Sequence, residues 1–177
     1  DYGDILVNGE TVNIQSPGDA IHHRIALVPE ERRRDGLILP MNVKQNITLA
    51  SLDKILRWLK IPVLSRTKES IVAQPVVDSM AIKTSGLNQI VEFLSGGNQQ
   101  KVVLAKWLCR DAQILIFDEP TRGIDVGVKF AIYQLINNLA REGVGIIMIS
   151  SDLPEVVGLA HRIIVMSQGI IKADLQN

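Results

Sequence analysis

Residues 113–125 read QILIFDEPTRGID. Four apolar residues, Ile114 to Phe117, run unbroken and stop on two carboxylates, Asp118 and Glu119, after which Pro120 prevents continuation. A continuous apolar run, as opposed to an alternating one, predicts a parallel strand buried on both faces. A second such run, VGIIMIS, occupies residues 144–150. Between the two, Ala131, Ile132, Leu135, Ile136 and Leu139 recur at helical spacing. A strand–helix–strand unit of this kind crosses over right-handedly. That topology predicts that Ser151, just past the second strand, reaches the same sheet edge as Asp118 and Glu119. Open parallel sheets build their ligand sites at this carboxyl edge. An aspartate there can hold Mg²⁺, and a neighbouring glutamate can orient or deprotonate a water. The bland alternative is a strand that exits into an acidic turn.

Upstream lies LSGGNQQKVVLAKWL, residues 94–108. Glycine inside a helix costs about 1 kcal/mol relative to alanine, so Gly96 and Gly97 should break a helix or begin one. Val102, Ala105 and Cys109, flanked by Leu104 and Leu108, recur at helical spacing and favour a beginning. Ser95 then stands as N-cap, with Asn98 three residues on. A side-chain-free backbone with unpaired N–H groups at a helix start lets an anion approach closely. A plain Ser-Gly-Gly-Asn turn is the competing reading.

Elsewhere, strand signals at ILV (5–7) and IALV (25–28) flank a helical turn after Ser16-Pro17-Gly18. Helices are expected at 43–59, 66–80 and 95–110, the second weakened by Pro75. RIIVMS and GIIKA, joined by Gln168-Gly169, predict a closing hairpin. The fold class is α/β, a sheet carrying a helical insertion, with divisions at 1–40, 41–110 and 111–177.

Nineteen basic and nineteen acidic residues in a 177-residue chain cancel. No global field therefore favours nucleic acid or an anionic membrane. EERRRD at 30–35 mixes both signs and predicts a solvated surface turn. On a helix the rings of His22 and His23 diverge by roughly 100°, which disfavours a shared metal. The single cysteine, Cys109, allows no disulfide within the chain and suits a reducing compartment. No apolar run is long enough to span a bilayer as a helix. Opening on Asp1 without an initiator methionine, the sequence is expected to be a piece of a longer polypeptide.

These motifs, in this order, resemble those of ABC-type ATPases. LSGGNQQ is similar to their signature motif, ILIFDEPT to the Walker B strand with its catalytic glutamate, and RGID to the D-loop, which places Asp125 there. ALVPE lies where the Q-loop would be and ISSD where the switch histidine would be, so Glu30 and Ser151 replace the usual glutamine and histidine. The asparagine of LSGGNQQK, with DEPTRGIDVG and ISSDLPEV, most resembles the second ATPase half of bacterial monosaccharide importers of the ribose, galactose and xylose type. The resemblance implies a P-loop NTPase-like sheet with an inserted helical subdomain and its N-terminal part missing.

It further implies ATP and Mg²⁺ as cofactors, with Asp118 on the metal and Glu119 as the catalytic residue. Ser95, Gly96, Gly97, Asn98, Asp125, Ser151 and Glu30 would lie around nucleotide. Implied partners are a second ATPase half, transmembrane permease subunits, for which residues 43–49 are the candidate contact, and indirectly a periplasmic sugar-binding protein, but no nucleic acid. The implied location is the cytoplasmic face of the bacterial inner membrane. One departure is large. The family needs a glycine-rich loop ending in Lys-Ser/Thr; the nearest stretch, GDILVNGET, has five residues between its glycines and puts Glu10 where lysine would stand. The chain alone is therefore expected neither to bind ATP tightly nor to hydrolyse it. Within the whole protein this half would chiefly donate its signature motif. The alternatives are a soluble, non-transport ABC-type ATPase and a non-hydrolysing regulatory half.

Overall fold

A computed structural model describes residues 3–59 and 66–177. Its centre is a parallel sheet of three strands in the order β3-β4-β5, formed by Ile25–Val28, Ile114–Asp118 and Gly145–Ile149. The register aligns Ala26, Leu115 and Ile146 in one row and Val28, Phe117 and Met148 in the next. These residues share one sheet face, because side chains alternate along each strand. Val28, Leu115 and Phe117 are fully buried there, packed in one cluster with Ile132, Ile136 and Leu139 of α6 (Val126–Arg141). Each such side chain contributes roughly 1.5–3 kcal/mol by leaving water.

The opposite face corrects the sequence expectation. Leu27, Ile147 and Ile149 are 48%, 53% and 52% exposed. Their apolar character suits burial on two sides, but only one face of the sheet is covered by described residues.

Before the sheet, β1 (Ile5–Val7) and β2 (Glu10–Val12) pair antiparallel around Asn8 and Gly9, both at positive φ (54° and 84°). Such a two-residue turn matches strand twist. Helix α1 (Pro17–His22) opens on a capping box in which Ser16 Oγ accepts from the Asp19 N–H and the Asp19 carboxylate accepts from the Ser16 N–H. At the other end β6 (Arg162–Ser167) and β7 (Ile170–Gln176) form the expected hairpin, with Gln168 and Gly169 both at positive φ.

The helical elements are α2 (Val43–Thr48), α3 (Leu52–Leu59), α4 (Arg66–Ser79) and α5 (Gly96–Cys109). A 3₁₀ turn at Leu49–Ser51 divides the helix expected over 43–59, while α4 runs through Pro75. Val43 and Ile47 of α2 pack with Ala73 and Val77 of α4 and with Val102–Ala105 of α5. Even the polar residues of α2 turn inward: Lys44 and Thr48 are buried, the Thr48 hydroxyl donating to Glu69 Oε1 at 2.8 Å. Residues 43–49 are thus largely core, and Gln45 and Leu49 are what the stretch expected to meet the permease leaves exposed. Among the described residues no helix is long and apolar enough to cross a membrane.

Candidate functional site

Strand β4 delivers Asp118 and Glu119 to the carboxyl edge of the sheet. Asp118 pairs in register with Ile149, and its half-buried carboxylate forms no hydrogen bond or ion pair with the described residues. Free carboxylate lone pairs on a rigid strand end fit a hard, oxygen-seeking cation such as Mg²⁺.

Glu119 departs from the strand. Its φ is +45°, the left-handed region, while its N–H still donates to the Ile149 carbonyl at 2.9 Å. A non-glycine residue held there costs about 1–2 kcal/mol, and such strain clusters at functional sites. The bend carries the Glu119 side chain across to the end of β5. There its Oε1 accepts from the Ser151 backbone N–H at 2.8 Å. Asp118, Glu119 and Ser151 therefore meet at one edge, as the crossover predicts. The contact runs through the Ser151 main chain, not its hydroxyl.

The turn at 150–152 is braced on two sides. The Ser150 hydroxyl donates to Glu155 Oε2 and accepts from the Asp152 N–H at 3.1 Å. Glu155, in α7 (Leu153–Leu159), is 2% exposed. From α6, Lys129 Nζ donates to Asp152 Oδ2 at 3.0 Å. That hydrogen bond holds the Lys129 ammonium above its usual pKa and the Asp152 carboxyl below its own.

Glu30, at the end of β3, pairs with Arg122 in the turn after Glu119. The pair borders a cleft of about 230 Å³ that Glu31, Arg32, Arg33 and Gly123 complete. Asp125 occupies the N-cap position of α6, but its exposed side chain makes no capping bond.

The second cluster is the start of α5. Ser95 holds the N-cap position with its carbonyl accepting the Gln99 N–H at 2.9 Å, yet its hydroxyl caps nothing. Instead it accepts from the Asn98 side-chain amide at 2.9 Å, while Asn98 Oδ1 accepts from the Lys83 N–H at 2.8 Å. The first N–H groups of a helix lack intrahelical partners, and here no side chain among the described residues satisfies them. They add to the positive end of the helix dipole.

Both glycines also make room inside the chain. A Cβ on Gly96 would lie 2.7 Å from Arg32 Nη2, and one on Gly97 would overlap Val128 Cγ1 in the first turn of α6. Arg32 is the site residue that sequence reasoning missed. Expected in a solvated turn, it sits on a single π-helical turn (Arg32–Gly36), half-buried, its Nε without a partner. Burial, and next to it the charge of Arg33, lower its pKa. Nothing in EERRRD distinguishes the one arginine that turns inward.

The strand edge and the helix start are separate clusters, joined through adjacent residues of α6: Val128 lies against Gly97 and Lys129 pairs with Asp152. The first cluster can position a cation and a water; the second can receive an anion.

A family profile described as ABC transporter matches residues 1–122. The xylose import ATP-binding protein XylG of Geobacillus kaustophilus (strain HTA426) is 47% identical over 174 residues, which are 98% of this chain and 34% of that protein. Among solved structures, an ATP-binding cassette of an ABC transporter in its ADP conformation superposes with TM-score 0.80 at 20% identity, covering 100% of this chain and 70% of that one. A dimeric cassette in a post-hydrolysis state, bound to ADP and Pi, gives 0.73 at 19% identity, covering 99% and 73%. The chain spans about a third of the length of the curated relatives it matches, 34% for each of the first three.

Proposed function

Because the chain belongs to the ABC transporter ATP-binding family, we propose that it is the second ATPase half of a bacterial monosaccharide importer and serves chiefly by lending its α5 start to the nucleotide of the first half. The observation that carries this reading is the set of uncapped N–H groups at Gly96–Asn98, at the head of a 14-residue helix. Mg-ATP, when bound, would supply the transferable phosphoryl group and a divalent cation that neutralises its charge. This chain's residues do the rest. The amides and the Ser95 hydroxyl hold the terminal phosphate presented by the partner half, with charge-assisted hydrogen bonds stronger than neutral ones. Asp118 fits Mg²⁺ at the resident site, and Glu119, with Oε1 held by the Ser151 N–H, keeps Oε2 without a hydrogen bond among the described residues and available to orient a water. Asp125 faces the partner half from the D-loop.

The resident site works slowly in this reading. A serine at position 151 brings no cationic side chain to stabilise developing charge, and the Glu30 carboxylate is engaged by Arg122. No glycine-rich phosphate loop ending in lysine occurs in these residues, so 1–177 alone neither binds ATP tightly nor turns it over. The bare sheet face around Leu27, Ile147 and Ile149 is where the loop-bearing segment of the whole protein packs. Residues 41–110 form the subdomain that ends in the signature helix. Partners are the first ATPase half and membrane-embedded permease subunits that receive a periplasmic sugar-binding protein, at the cytoplasmic face of the inner membrane. Nucleic acid is not among them, given the balanced charge.

The test uses the two-half polypeptide. Ser95→Glu puts a carboxylate at the open amides of an exposed position; Glu119→Gln removes the resident carboxylate. The expected result is at least tenfold loss of ATP turnover for Ser95→Glu and a smaller loss for Glu119→Gln. The reverse ranking rules out the donated-signature role.

A further inference from the structure

We propose that Lys129 and Asp152 are positioning residues for Glu119: their ion pair holds the 150–152 turn so that the Ser151 backbone N–H fixes one carboxylate oxygen and leaves the other directed at water. The catalytic part of this inference rests on the function proposed above; the positioning part stands on geometry alone.

Glu119 follows a strand whose edge is fixed, but among the described residues its side chain has only one hydrogen bond, from the Ser151 N–H at 2.8 Å. The reach of that N–H depends on the path of three residues after β5. Inside, Ser150 ties the turn to buried Glu155. Outside, the Asp152 carboxylate accepts from Lys129, one helical turn into α6. Asp152 stands at the N-cap position of α7 without a fully formed capping bond, the Glu155 N–H acting on its carboxyl less than Lys129 does. Its formed side-chain bond is the contact 23 residues away in sequence.

The pair is accessible, its side chains 27% and 36% exposed, and pairs so exposed contribute little to stability. Its effect is orientation. A misplacement of about 1 Å in a reacting group can cost on the order of 100-fold in rate, so release of this turn is felt in turnover long before it is felt in folding. At a position where no cationic side chain acts, a main-chain N–H of fixed direction is the remaining group on the glutamate.

The experiment compares Lys129→Asp, Asp152→Lys and the double exchange in the two-half polypeptide, with Lys129→Arg as the conservative variant. Two readouts are taken. Amide hydrogen exchange reports the Ser151 N–H without any need for activity. Turnover with the first half's site disabled reports kcat and KM of the resident site. Expected are faster Ser151 exchange in both single variants, a kcat drop of roughly tenfold or more at near-constant KM, and recovery of both in the exchange and in Lys129→Arg. Unchanged Ser151 exchange in the single variants overturns the proposal, as does failure of the exchange to restore it. Altered exchange with unchanged kcat overturns the catalytic part. A wild-type resident site with no turnover, alongside the expected exchange pattern, supports the brace and refutes instead the slow resident hydrolysis proposed above.

Discussion

Gly97→Ala probes why the second glycine is a glycine. The added methyl would occupy space already held by Val128 Cγ1, so Val128 or the start of α5 must move. Overpacking of this kind costs about 1–3 kcal/mol, while exchanging glycine for alanine in a helix returns about 1 kcal/mol. The net expectation is roughly 0–2 kcal/mol of local destabilisation. Val128→Ala, at a half-buried position, should cost about 1 kcal/mol alone by the area rule. It also vacates the space the new methyl needs. The double variant is therefore expected to be less destabilised than the sum of the singles by about 1–2 kcal/mol. Native-state hydrogen exchange of the first α5 amides measures this locally in a large protein. A shift of one to two kcal/mol appears as a roughly 5–30-fold change in opening. If the double variant is as destabilised as the sum of the two singles, the close packing of α5 on α6 is not what position 97 requires.

Glu119→Gly should relieve the left-handed backbone and raise stability by about 1 kcal/mol while reducing resident-site turnover, measured by thermal unfolding and ATPase assay. Leu115→Ala, at a fully buried position in the central strand, should cost 2–5 kcal/mol, read as a lowered unfolding midpoint. Asp174, hydrogen-bonded by Arg162, is held below its usual pKa of 3.8. Its contribution is present above that value and lost as pH falls through the lowered one. Asp174→Asn should therefore slightly loosen the β6–β7 hairpin near neutrality, as NMR reads it, while variant and parent converge once pH falls well below 3.8 and the parent carboxylate is protonated.

The strand–helix–strand unit was readable because long apolar runs and a 3.6-residue stripe report burial directly, and the handedness of the crossover then places Ser151 beside Glu119. The hairpin at Gln168-Gly169 was readable because its turn chemistry is local. Three features were not. The left-handed backbone at Glu119 accompanies its bond to Ile149 across the sheet, which no property of Asp-Glu-Pro announces. The neighbours of Gly96 and Gly97 come from Arg32 and Val128, distant in sequence, so the glycines could be read for their open amides but not for what leans on them. The apolar residues Leu27, Ile147 and Ile149 look like core, and the pattern cannot say which segment covers them. Amphipathic spacing likewise could not reveal that α2 buries its polar residues, because Lys44, Asn46 and Thr48 find internal partners.

In the proposed function, uncapped amides at Gly96–Asn98 receive the terminal phosphate of a nucleotide held by the other ATPase half. A cryo-EM structure of the two-half polypeptide, trapped with Mg-ATP by disabling hydrolysis, tests it directly. The account predicts γ-phosphate oxygens within about 2.7–3.2 Å of these N–H groups, on a nucleotide whose glycine-rich loop belongs to the first half. A trapped complex with that nucleotide present and the α5 start open to bulk solvent would contradict it.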